Sequence, residues 1–82
     1  MWIRSQDKEM LLNCEGFDIL DEDTIWFIYG CNTTLATYST EEKALKVLDM
    51  IEKHIENMYI GIGNYMGKPF QMPQEEDLED ET

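Results

Sequence analysis

The stretch Ser39 to Tyr59, STEEKALKVLDMIEKHIENMY, constrains this chain more than any other. At about 100° per residue it reads as one amphipathic helix. Ala44, Leu45, Val47, Leu48, Ile51, Ile55, Met58 and Tyr59 fall on a single arc of roughly 160°. Asp49, Lys46, Lys53, Glu56 and Asn57 take the other side. An arc that wide exceeds the narrow stripe of a coiled coil and suits a helix lying across a sheet. Ser39 and Glu42 have capping-box spacing, which predicts Ser39 as the N-cap. Glu41 and Glu42 complement the helix dipole, Glu42–Lys46 and Asp49–Lys53 are acid-before-base pairs at i,i+4, and Gly61 supplies a stop.

The rest of the chain reads mostly as strands. Trp2 to Ser5 forms a first short strand, followed by the polar turn Gln6 to Glu9. Met10 to Cys14 and Phe17 to Leu20 flank Glu15-Gly16; one strand with a glycine bulge is the preferred reading, two strands the alternative. Asp21-Glu22-Asp23 reads as a turn. TIWFIY, Thr24 to Tyr29, is β-branched and aromatic throughout and apolar on both faces, as a central strand requires. Gly30 to Thr33 is a hairpin turn and Thr34 to Tyr38 the returning strand. After the helix, GIGNYMGKP reads as a glycine-punctuated loop. Phe70 to Met72, bracketed by Pro69 and Pro73, reads as a last strand at a sheet edge. These elements predict an α+β fold: a small antiparallel sheet of three to five strands, flat or curled, packed on one long helix. The expected domain spans residues 1–73, and 74–82, with a single apolar residue, is expected as a disordered acidic tail.

The chain has 82 residues and a formal charge of −12, from eighteen acids against six bases. Glu15, Asp18, Asp21, Glu22 and Asp23, with the tail acids Glu75, Glu76, Asp77, Glu79, Asp80 and Glu81, hold eleven of the eighteen. Direct binding to nucleic acid or anionic membrane is disfavoured by that charge, and a partner with a basic surface is favoured. No run of about 18 apolar residues offers a membrane span, and the N-terminus has no apolar signal segment. A cytoplasmic location is therefore expected. In that compartment Cys14 and Cys31, which lack C-x-x-C spacing, read as buried thiols, with a disulfide as the alternative.

Catalytic and metal signals are weak. Asp18, Asp21 and Asp23 do not match a calcium-loop spacing, and Gly61, Gly63 and Gly67 follow a helix and lack phosphate-loop context. His54 lies at the flank of the helical stripe, with no orienting partner or nucleophile nominated by the sequence. No enzyme, cofactor or metal site is expected. Two features point to interaction instead. Strand carboxylates at i and i+2 would repeat about every 6.7 Å along one face and could occupy sites that normally hold phosphates. One helix also cannot cover both faces of TIWFIY, so either Trp26 and Ile28 or Ile25, Phe27 and Tyr29 stay uncovered unless the sheet curls or a partner docks.

The opening MWIRSQD and the segment LATYSTEEKALKVLDMI resemble a family of small proteins from phages and mobile elements of Gram-positive bacteria. The resemblance spans the first strand, the strand before the helix and most of the helix. It implies a mobile-element protein acting in the host bacterium's cytoplasm, and it carries over no catalytic or binding residues. By analogy of context and charge, the expected function is non-enzymatic: a nucleic-acid-mimicking inhibitor of a defence nuclease, such as an anti-CRISPR protein. The expected partner-binding residues are Glu15, Asp18, Asp21, Glu22 and Asp23. The alternative is a structural or regulatory domain that homodimerises through an apolar sheet face.

Overall fold

The computed structural model describes residues 1–59 and 68–78. In chain order the elements are β1 (Trp2–Arg4), β2 (Leu11–Asn13), β3 (Asp18–Glu22), β4 (Ile25–Gly30), β5 (Thr33–Tyr38), α1 (Glu41–Tyr59), β6 (Phe70–Gln71) and a 3-10 turn at Glu75–Leu78. The fold is α+β, with the strands divided between two three-stranded sheets.

The first sheet has the order β2-β1-β6 and the second β3-β4-β5. Antiparallel pairing dominates, as expected. The exception is β6, which runs parallel to β1 with Ile3 opposite Phe70. As the Pro69 and Pro73 brackets predicted, β6 is an edge strand. TIWFIY is central in its sheet, again as predicted.

The single bulged strand expected across Glu15-Gly16 does not form. Leu11–Asn13 pairs with β1, whereas Asp18–Glu22 pairs with β4, so the two apolar pieces belong to different sheets. The Cys14 N–H donates to the Met1 carbonyl at 2.9 Å, ending that ladder, and Glu15-Gly16 carries the chain across to the second sheet. Asp21 and Glu22 are strand residues as well. Pairing with Trp26 and Ile25 moves the turn to Asp23-Thr24, where Asp23 has φ 59°.

The β4–β5 turn lies where it was predicted, but Cys31 (φ 56°) and Asn32 (φ 61°) take the left-handed positions. Two successive positive φ values match the right-handed twist of the flanking strands. Gly30 is needed for another reason: a Cβ there would meet Leu35 Cδ1 at 2.8 Å and Phe17 Cδ1 at 3.0 Å. Cys14 and Cys31 are joined in a disulfide, correcting the expectation of free thiols. The tight hairpin presents Cys31 to the end of β2, with a Cα–Cα separation of 5.6 Å, within disulfide reach.

The helix begins two residues later than Ser39. The Lys43 N–H bonds Thr40 Oγ1 at 3.2 Å, so Thr40 is the N-cap. Ser39 turns to Glu75 instead, its N–H donating to Glu75 Oε1 at 3.1 Å and its hydroxyl to Glu75 Oε2. The buried stripe on α1 is Ala44, Val47, Ile51 and His54, rotated from the predicted arc. Leu45 and Ile55 are exposed. This stripe closes a core of Ile3, Ile28, Leu35, Ala36, Tyr38 and Phe70 from both sheets, with Met72 and Leu78 from the segment after β6.

Packing continues past Pro73, where the domain was expected to end. Leu78 is 3% exposed and belongs to the core, and the Asp77 N–H closes the turn on the Gln74 carbonyl at 3.0 Å. Residues 79–82, the rest of the expected tail, lie outside the described residues, as do the glycines of the expected loop, Gly61, Gly63 and Gly67.

Candidate protein-docking face

Register decides which side chains share a face. In the second sheet Asp18 pairs with Tyr29, Leu20 with Phe27 and Glu22 with Ile25. These pairs point one way, because strand side chains alternate. Ile19–Ile28 and Asp21–Trp26 point the other way. Ile19, Trp26 and Ile28 pack on the core, so their face looks toward the helix. Asp18, Leu20, Glu22, Ile25, Phe27 and Tyr29 therefore form the outer face. The uncovered half of TIWFIY is Ile25, Phe27 and Tyr29.

That outer face has an apolar middle. Leu20 is 48% exposed and Ile25 44%, with Phe27 half-buried beside them. Carboxylates of Asp18 and Glu22 stand on either side of Leu20 along β3. No Lys or Arg occurs between Glu9 and Glu42, so the whole second sheet is free of basic residues.

The five predicted binding acids are all exposed, but the fold does not gather them. Asp18 and Glu22 share the outer face about 13 Å apart, with Leu20 between them. Asp21 is on the helix side of the same strand, and Asp23 is at the hairpin tip. Glu15 lies before β3, on the wall of a groove of about 360 Å³ formed with Met1, Cys14, Phe17, Ile55 and Met58. An unbroken row of carboxylates every second residue, the pattern of a phosphate backbone, is absent from β3.

Sequence reasoning missed three glutamines that tie β1, β6 and β5 together, of which Gln6 joins the two sheets. Gln6 donates its N–H to the Leu35 carbonyl at 2.8 Å. Its side chain accepts from the Thr37 N–H at 3.1 Å and donates to the Thr37 carbonyl at 3.1 Å. An amide side chain thus caps the β5 edge as a neighbouring strand would. Gln74 Nε2 donates to the Gln6 carbonyl at 2.6 Å, and Gln71 Nε2 to the Ser5 carbonyl at 3.0 Å. No periodicity marks such bonds; the only cue is amides placed beside predicted strand ends.

His54, expected at a boundary, is 7% exposed. Its Nε2 is 3.0 Å from the Lys68 carbonyl, and its ring meets Phe70 edge-on at 5.4 Å. Its environment is that of a packed residue bonded to backbone. Among the described residues no group of three or more His, Cys, Asp or Glu side chains is placed to hold a metal. No helix among them is long and apolar enough to cross a membrane.

Fold and face together define a small α+β domain with one acidic, partly apolar sheet surface. No protein-family model, curated protein or solved structure matches the chain.

Proposed function

We propose that this is a non-enzymatic interaction protein that docks on a basic surface of another protein through the outer face of the β3–β4 hairpin. The observation that carries this reading is the layout of the face: Leu20, Ile25 and Phe27 at the centre, Asp18 and Glu22 beside them, and no base in the sheet. An apolar centre with a polar rim is the anatomy of a protein interface. The acids select a Lys/Arg-rich partner and steer its approach. A nucleic-acid-binding groove on a defence nuclease has that chemistry, and the resemblance to mobile-element proteins supports such a target. The mimicry in this reading is of charge, because Leu20 interrupts the carboxylate row.

Action on such a nuclease would take place in the host cytoplasm. A reducing cytoplasm disfavours the Cys14–Cys31 bond, so inhibition there requires the fold to survive reduction.

Size-exclusion chromatography with light scattering, at low and high salt, tests the proposal on the chain alone and mixed with an RNA-guided Cas nuclease. A co-eluting complex that weakens with salt is the expected result. Reversing Asp18 and Glu22, the two acids of the outer face, to Lys should weaken it without unfolding the domain. Failure of the wild-type chain to bind would remove the nuclease. Exposure of Leu20 and Ile25 favours a second reading, homodimerisation through the same face. Two copies bring Asp18 and Glu22 near their counterparts, so that dimer would strengthen with salt.

A further inference from the structure

The two edges of the second sheet are treated differently. Along β5 the edge is occupied by Gln6, whose backbone and side chain bond Leu35 and Thr37. On the other side β3 is terminal in the strand order, with no neighbouring strand among the described residues. Hydrogen-bonding direction along β3 follows from its hairpin. The loop has two residues, Asp23 and Thr24, and in such hairpins the flanking pair exchanges both bonds. Glu22, Leu20 and Asp18 therefore bond β4, while Ile19 and Asp21 turn their N–H and C=O groups outward. An open edge of this kind is a template for another strand.

We infer that β3 accepts an extended segment of the partner as a fourth strand of the sheet. This deepens the docking reading above and rests on it. Charge complementarity identifies the occupant. A strand lying antiparallel to β3 needs Lys or Arg opposite Glu22, Asp21 and Asp18, and apolar residues opposite Leu20 and Ile19. The recognised pattern is basic-basic-apolar-apolar-basic. Main-chain bonds to Ile19 and Asp21 supply affinity, and the alternating side chains supply selectivity. A second β3 is a poor occupant, because its carboxylates would face these carboxylates.

The test uses a short capped peptide containing Lys-Lys-Val-Val-Lys and the same peptide with its backbone N-methylated at the residues that pair with Ile19 and Asp21. N-methylation removes the donors and keeps the charge. The expected result at low salt is binding of the first peptide, about tenfold or more weaker binding of the second, and slowed amide exchange at Ile19 and Asp21 with the first alone. Asp21→Pro should also abolish binding, whereas Asp21→Asn, which keeps the backbone donor, should weaken it modestly. Equal binding of both peptides with unchanged exchange at Ile19 and Asp21 would overturn strand addition and leave charge-driven docking standing. Binding of neither would overturn both, leaving the β3 acids as guards against edge-to-edge aggregation.

Discussion

The Tyr38 hydroxyl donates a hydrogen bond to the Pro73 carbonyl at 2.7 Å, tying the last strand of the second sheet to the segment that follows β6. Tyr38 is 1% exposed, and the same carbonyl also accepts from Gln6 Nε2 at 3.2 Å. Tyr38→Phe should therefore cost only about 1 kcal/mol, because Gln6 keeps the carbonyl partnered. Burial, with Glu75 and Asp77 nearby, pushes the phenol above its ordinary range. The stability this gives is present below pH ~10 and falls above it, where the unfolded tyrosine ionises first. Chemical denaturation of both chains at neutral and alkaline pH checks both statements.

Glu75 should show the opposite pH dependence. Lys43 Nζ at 2.8 Å and the bonds from Ser39 hold its carboxyl below the usual range. A depressed pKa stabilises above the unfolded value of 4.5 and is lost as pH falls through the folded one. Glu75→Gln should cost about 1 kcal/mol at neutral pH and progressively less under acid. Denaturant midpoints of both chains across that range measure it.

Thr40 and Ser39 should separate in a double-mutant cycle. Thr40→Ala removes the helix cap and should cost about 1 kcal/mol in any background. Ser39→Ala should act only while Glu75 is present, since Glu75 is its partner. Equal effects of Ser39→Ala with and without Glu75→Gln would contradict this geometry.

Reduction of Cys14–Cys31 should lower the melting temperature. The bond spans a sequence separation of 17 residues, for which the loop-closure term is about 3 kcal/mol. In a domain of this size that is roughly 10–20 °C. Calorimetry with and without a dithiol reductant, and on Cys14→Ser/Cys31→Ser, gives the value.

Ending the chain at Pro73 should destabilise the domain. It deletes Leu78 from the core and Glu75 from Ser39 and Lys43. A buried leucine is worth about 1.5–3 kcal/mol, and loss of the Glu75 contacts adds to it. Unchanged unfolding would place Leu78 outside the cooperative unit.

Local signals in the chain were sufficient for the helix, the central strand and its hairpin. Ala44, Val47 and Ile51 declare a helical face through spacing alone, and TIWFIY declares a central strand, apolar on both faces, through composition. Where two neighbouring residues could do the same local job, the sequence misled: Ser39 and Thr40 are both N-cap types, and only the position of Glu75 separates them. Glu15-Gly16 likewise permits a bulge or a crossing, and pairing with Met1 and Tyr29 decides between them.

The acids were legible as a concentration of charge but not as a surface. Which of Asp18, Asp21 and Glu22 share a face depends on where the hairpin turns, and that register comes from Ile19 and Ile28 finding the core. The same holds for the cysteines, whose separation in sequence says nothing of the 5.6 Å between their Cα atoms. By itself the sequence determined the helix, the central strand with its hairpin turn and the sign of the charge, because these are properties of residues and their near neighbours. Tertiary structure alone decided the disulfide, the packing of Leu78 and the terminal place of β3 among the described strands, because each depends on which distant segments are brought side by side.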